Sequence, residues 1–127
     1  MTAEYLKILP ALTREDANRL HQLIEDQVVA DKDQLHEADS TYGDSWCKRQ
    51  GPGAWMVTVR KYDRLENQLK NMNYDVFGML MNDTSEDGPW DDIGDLTRYL
   101  LLIRCYVQLE LEKRDAVAGP FGGTNSN

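Results

Sequence analysis

The chain is sparing with the residues that mark several protein classes. Its two cysteines, Cys47 and Cys105, are too few and too far apart in sequence for a disulfide scaffold or a zinc ribbon. Its two histidines, His21 and His36, are fifteen positions apart on one expected helix, which excludes joint ligation of a metal from adjacent turns. Neither cysteine has a histidine at a local motif spacing, so thiol catalysis has no support. Basic residues number 14 against 22 acidic ones, for a net charge of −8. That balance argues against broad contact with a phosphate backbone, so nucleic acid is not an expected partner. Long apolar runs are also missing. The most apolar stretch, Tyr99 to Ile103, is bounded by Arg98 and Arg104, well short of a membrane span. The first residues carry no basic-then-apolar leader pattern. The expectation is a cytoplasmic protein with no membrane partner.

What remains is ordinary for a globular chain: 127 residues, 41% hydrophobic and 28% charged, enough for one domain with a modest core. Strand patterns are scarce, and helical ones dominate. Thr13-Arg14-Glu15-Asp16 reads as a capped helix start. Leu20, Leu23, Ile24, Val28 and Leu35 then recur at roughly helical spacing, placing a helix at about 14–38. Residues 39–53 read as a loop, with Gly51-Pro52-Gly53 as a turn signal. A second helix is expected at about 54–71, with Val59, Tyr62, Leu65 and Leu69 among its apolar positions, and a short one at 74–81. Pro89 suits a first helical position, opening a last helix at about 89–113 with Ile93, Leu96, Leu100, Ile103 and Val107 on one stripe. Trp90 reads as an anchor at that helix start, and Met72, Met79 and Met81 as core filler. Residues 1–116 form one helical domain in this reading. A Gly-, Ser- and Asn-rich tail at 117–127 is expected to be disordered. The fold class is all-α, an antiparallel bundle of four to five helices. Because Tyr99 to Val107 is apolar on more than one face, the chain is expected to form a homodimer or homotetramer.

Two acidic steps lie on the apolar helices: Asp63-Arg64-Leu65-Glu66 and Asp91-Asp92-Ile93-Gly94-Asp95-Leu96. Residues i and i+3 share a helix face, pairing Asp63 with Glu66 and Asp92 with Asp95. If the helices pack antiparallel, four carboxylates are expected to converge. Like charges about 5 Å apart repel by roughly 3 kcal/mol per pair at an effective dielectric near 20, so such a cluster calls for hard divalent cations, magnesium or manganese. Gly94 costs about 1 kcal/mol of helix stability relative to alanine. The usual compensation is the close approach of a neighbouring helix or a ligand.

The arrangement Asp63-x-x-Glu66 … Asp92-x-x-Asp95 resembles the ExxE…ExxD pattern of the all-α nucleoside triphosphate pyrophosphohydrolases, a superfamily that includes the MazG proteins. The phrase Asp91-Asp92-Ile93-Gly94-Asp95-Leu96 is similar to the MazG-type EE[LI]GDL phrase. Tyr42-Gly43-Asp44-Ser45-Trp46, the Gly51–Ala54 turn and Lys61-Tyr62-Asp63-Arg64-Leu65-Glu66-Asn67 resemble a MazG-like branch common in bacteriophages and associated with nucleotide-pool or nucleotide-modification genes. The resemblance covers about residues 40–107. Asp63 and Asp92 stand where that family usually has glutamate, which shortens the ligands by about one methylene.

The resemblance implies hydrolysis of a nucleoside or deoxynucleoside triphosphate to monophosphate and pyrophosphate. It implies two or three magnesium or manganese ions on Asp63, Glu66, Asp92 and Asp95, with Glu66 and Asp95 as the catalytic carboxylates and Glu66 as the water's base. Lys61, Arg98, Arg64 and Lys48 are the candidates for phosphate binding, with Arg98 preferred because it lies at i+3 from Asp95. Trp46 could stack on a base and Asp44 could read a base edge, and analogy suggests a guanine nucleotide. The alternative is a non-catalytic helical module that binds a nucleotide or a protein. If the chain is phage-encoded, its compartment is the host cytoplasm.

Overall fold

In the computed structural model, residues 11–118 are described, and all secondary structure among them is helical. The order is α1 (Arg14–Tyr42), α2 (Gln50–Lys70), α3 (Val76–Asn82) and α4 (Pro89–Ala118). The all-α expectation therefore holds. The expected lead-in over residues 1–10 and the tail from 119 lie outside the described residues. Val117 and Ala118 belong to the last turn of α4 rather than to a tail.

The helix boundaries follow from capping chemistry. Thr13 accepts a hydrogen bond from the Asp16 amide at 3.0 Å, and Asp16 accepts one from the Thr13 amide at 3.4 Å. This reciprocal box satisfies two otherwise orphaned donors. α1 outruns its expected end at 38 because nothing before Gly43 requires a non-helical backbone. Gly43 adopts a φ of 62° and its amide closes on the Asp39 carbonyl, a conformation glycine reaches without a Cβ penalty. α2 starts four residues before the expected Ala54. Pro52 falls in its first turn, where amides have no intrahelical partner, so the ring costs no hydrogen bond. At Gly53 a Cβ would lie 2.5 Å from the Arg49 Cβ, so the glycine is required by the closeness of the preceding turn. Asn73 and Tyr74, both at positive φ, turn the chain from α2 into α3. Pro89 opens α4 as expected, and Trp90 donates its indole N–H to the Leu80 carbonyl at 2.8 Å, tying α4 to α3.

α2 and α4 form an antiparallel pair. Ala54 lies beside Ile103 and Val107, Lys61 beside Asp95, and Gln68 beside Asp92. Ala54, Thr58 and Leu65 are the buried residues of α2, and Met79 of α3 is 2% exposed. Met81, expected in the core, is exposed, and so is Trp55. α1 meets α4 around Asp31, Leu35 and Ala38. Residues 18–30 of α1 are all exposed, including Leu20, Leu23, Ile24 and Val28.

With so small a core, each buried aliphatic carries weight. Leu65→Ala is expected to cost about 2–3 kcal/mol, the lower part of the range for buried leucine. Urea denaturation would show it as a lowered midpoint with an unchanged slope. A loss below about 1 kcal/mol would mean that Leu65 does not anchor the α2–α4 contact.

Candidate functional site

The centre of the α2–α4 interface is polar. Asp92 is the most deeply buried charged residue described, at 0% exposure. Its Oδ2 accepts a 3.4 Å hydrogen bond from Gln68. Arg64 Nε stands 3.3 Å and Lys61 Nζ 3.9 Å from its Oδ1. These separations give Coulombic attraction, but not hydrogen-bond geometry, so Oδ1 is buried without a donor. Leaving such an acceptor unsatisfied costs roughly 1–3 kcal/mol, and more when it is charged.

One turn along α4, Asp95 accepts a 2.8 Å bond from Lys61 and a 2.7 Å bond from Arg98. Arg98 also donates to Asp31 of α1 at 3.0 Å, so Asp31, Arg98, Asp95, Lys61 and Asp92 form a chain of charges across three helices. Gly94 lets this happen: a Cβ there would stand 3.1 Å from the Arg98 guanidinium. The neighbouring helix or ligand expected at Gly94 is therefore not what approaches it: the near group is the Arg98 side chain of the same helix, which reaches on to Asp31 of α1.

Burial pushes the Asp95 carboxyl up, but the hydrogen bonds and charges of Lys61 and Arg98 outweigh it and hold it below the ordinary carboxylate range. A lowered folded-state pKa stabilises the protein above the unfolded value, and that contribution is lost as the pH falls through the lowered one. The stability advantage of the wild type over Asp95→Asn is therefore expected to shrink towards zero on acidification. Paired urea midpoints from neutral to strongly acidic pH would show it. An advantage constant across that range would mean the ion pairs are not its source.

Asp91, Asp92 and Asp95 bring carboxylate oxygens within 4.8 Å of one another. The fourfold convergence expected from the sequence is not formed within the chain. At 100° per residue, Asp63 lies about 180° and Glu66 about 120° from the stripe Ala54, Thr58, Lys61, Leu65 and Gln68 that faces α4. The buried Ala54, Thr58 and Leu65 set that phase, so α2 presents Lys61, Arg64 and Gln68 to the acids of α4. Asp63 is exposed. Glu66 accepts hydrogen bonds from Tyr62 at 3.3 Å and from Tyr74 at 3.1 Å. The Glu66 carboxylate raises both phenols, by its charge foremost at Tyr62 and by its hydrogen bond foremost at Tyr74.

A cavity of about 470 Å³ opens beside Asp95 and Arg98, walled by Leu35, Ser45, Trp46, Tyr99 and Leu102. Trp46 stands edge-on to Tyr106, with ring centroids 5.7 Å apart. Of the residues expected at a base and phosphate site, Trp46 and Arg98 share this cavity. Lys61 and Arg64 line a neighbouring one, while Lys48 and Asp44 lie exposed. Asp31, Asp91, Gln68 and Tyr99 were not among the sequence candidates. Asp31 had a signal: it is an acid at a stripe position, between Val28 and Leu35. Asp91 opens the second acidic step but was given no ligand role, and Gln68 and Tyr99 carried no distinguishing pattern.

In kind, the donors suit a hard divalent ion: Asp91, Asp92 and Asp95 offer carboxylate oxygens within 4.8 Å of one another, and one of the Asp92 oxygens is buried with no hydrogen-bond donor, while Lys61, Arg64 and Arg98 balance their three charges. No helix is long and apolar enough to cross a membrane among the described residues. Comparison of the chain with protein family models, curated proteins and solved structures gives no match.

Proposed function

We propose that the chain is a divalent-metal-dependent nucleoside triphosphate pyrophosphohydrolase of the MazG-like type, acting in nucleotide-pool control. The observation that carries this reading is the buried Asp92, with its free Oδ1, paired at i+3 with Asp95 at the mouth of a cavity that also holds Trp46 and Arg98. Asp91, Asp92 and Asp95 would hold magnesium or manganese. When bound, the metal supplies charge neutralisation on the triphosphate and Lewis acidity at the α-phosphoryl group. A water oxygen attacks the α-phosphorus and the bond to the bridging oxygen of the β-phosphate breaks, giving monophosphate and pyrophosphate. Lys61 and Arg98 are placed to balance the charge that gathers on the leaving pyrophosphate. Asp95, engaged by both cations, fixes where they stand. Trp46 offers a base-tolerant stacking face, and a guanine nucleotide in a phage nucleotide-modification setting is the suggestion by analogy.

A specific observation favours one other reading. Lys61 Nζ sits between Asp95 and Asp92, at 2.8 and 3.9 Å, where an internal ammonium can take a metal's electrostatic role. On that reading the chain is a non-catalytic binding module. Consumption of nucleoside triphosphates with magnesium or manganese, abolished by chelator, separates the two. Turnover supports the enzyme, and its absence in folded protein supports the module.

The enzyme is proposed to work as a homodimer or homotetramer. Leu20, Leu23, Ile24 and Val28 are 40–59% exposed along one helix, an apolar surface that self-association would cover. Ile24→Asp is expected to shift the protein to a smaller species in light scattering while leaving its helicity unchanged. An unchanged mass would remove α1 from the interface.

A further inference from the structure

α1 is longer than the surface it packs on. It meets α4 around Asp31, Leu35 and Ala38, and residues 18–30 before that contact are exposed throughout. At 1.5 Å per residue, the arm from Arg14 to Ala30 is about 25 Å of helix. Leu20, Leu23, Ile24 and Val28, each 40–59% exposed, form its apolar stripe. The stripe has acidic flanks. Glu15 and Asp26, eleven residues apart, edge one side, and Glu25 edges the other. None of these three makes an ion pair among the described residues. Arg19, the one lysine or arginine of residues 15–30, donates to Gln22 at 3.2 Å.

The opposite chemistry lies at the start of α2. Residues 45–62 are the longest stretch of the chain without an acidic residue, and they carry Lys48, Arg49, Arg60 and Lys61. A groove of about 380 Å³ there is lined by the apolar Trp46, Pro52, Met56 and Val57 together with Arg49 and Arg60. Met56 is 56% exposed, and neither arginine has an ion pair among the described residues. Arg49 and Arg60 are also eleven residues apart. They therefore share one edge of α2 at a separation of about 16 Å, as Glu15 and Asp26 do on α1. The chain's own arm points away from this groove. Ser45 and Trp46 follow the C-terminal end of α1, and residues 31–42, about 18 Å of continuous helix, separate that end from the arm.

We propose that the α1 arm of one copy docks in the α2 groove of a second copy, its apolar stripe on Met56 and Val57 and its acids on Arg49 and Arg60. The proposal rests on the self-association of α1 stated above and names the surface that α1 meets. Each copy has one arm and one groove, so reciprocal exchange closes a two-fold dimer with two identical contacts. Trp46 belongs both to the groove and to the cavity beside Asp95, so each arm borders the site of its partner.

The test is analytical ultracentrifugation of the full chain at low salt, with circular dichroism to verify helicity. Three proteins are compared with the wild type: Glu15→Lys with Asp26→Lys, Arg49→Glu with Arg60→Glu, and Arg114→Glu as a distant charge reversal. All five positions are exposed. Each double variant alone is expected to associate about tenfold or more weaker, and Arg114→Glu to match the wild type. An equimolar mixture of the two double variants should recover the dimer, because a lysine-bearing arm then finds a glutamate-bearing groove. No loss on reversing Arg49 and Arg60, or no recovery in the mixture, overturns the groove as the partner of α1. If Ile24→Asp dissociates the protein in that case, α1 stays in the interface and meets another surface. A wild type that is monomeric removes the docking and the self-association together. None of these results alters the chelator test of triphosphate turnover, which stands or fails separately.

Discussion

Asp95→Asn is expected to lower kcat/KM for triphosphate hydrolysis by about three orders of magnitude, close to 4 kcal/mol of transition-state stabilisation. Asparagine keeps the size of the side chain but removes the charge that draws Lys61 to 2.8 Å and Arg98 to 2.7 Å. It also deletes one of the three clustered carboxylates. The loss should appear mainly in kcat, because on the proposed reading both cations meet charge that develops as pyrophosphate leaves. Asp95 is part-exposed, so the variant should keep its helicity, and circular dichroism would separate misfolding from lost chemistry. Glu66→Gln is the informative comparison. Its carboxylate is held by Tyr62 and Tyr74 on another face of α2, and a fall of less than about tenfold is expected. If Glu66→Gln matched Asp95→Asn, the role that the MazG-like resemblance implies for Glu66 would be restored and the single-chain site described here would be incomplete.

The second large effect is thermodynamic. Magnesium at about one hundred times its dissociation constant should stabilise the wild type by roughly 2.7 kcal/mol. For a chain of this size that is an increase in Tm of about 10 °C. Asp92→Asn should show almost none of it. Asp92 is fully buried, and its Oδ1 lacks a hydrogen-bond donor, an electrostatic cost that a bound ion would relieve. The amide carries no net charge, so in the absence of metal the variant should lie within about 1 kcal/mol of the wild type in stability. Differential scanning calorimetry with and without magnesium measures both quantities. Equal magnesium responses in the two proteins would show that the ion, if it binds, does so elsewhere.

The helices were legible in the sequence because their signals are local. Thr13 and Asp16 form the box that their spacing implies, Pro89 begins α4, and Trp90 anchors it. The glycine–proline–glycine segment misled because the same residues suit a turn and the unbonded first turn of α2. The site was half legible. Asp92 and Asp95 meet as their i, i+3 spacing requires, and the α4 phase brings Arg98 onto Asp95. The phase of α2 was not legible. An i, i+3 acidic pair is compatible with any face of a helix, and Val59, Tyr62 and Leu69 point to a stripe that the fold does not bury deeply: Tyr62 is 54% exposed. The deciding residues were Ala54 and Thr58. Alanine contributes little to an apolar pattern, and Thr58 is buried at 2% by returning its hydroxyl to the Ala54 carbonyl. Lys61 and Arg64 consequently face the acids, where the expectation had placed Asp63 and Glu66.

The most direct test of the account is to incubate the protein with magnesium and each common nucleoside and deoxynucleoside triphosphate in oxygen-18 water, and to resolve the products by chromatography and mass spectrometry. The account predicts monophosphate carrying the heavy oxygen together with unlabelled pyrophosphate, from one or two substrates, with no product in chelator or from Asp95→Asn. Release of orthophosphate with a nucleoside diphosphate, or no product from any substrate with the helices intact, would contradict it.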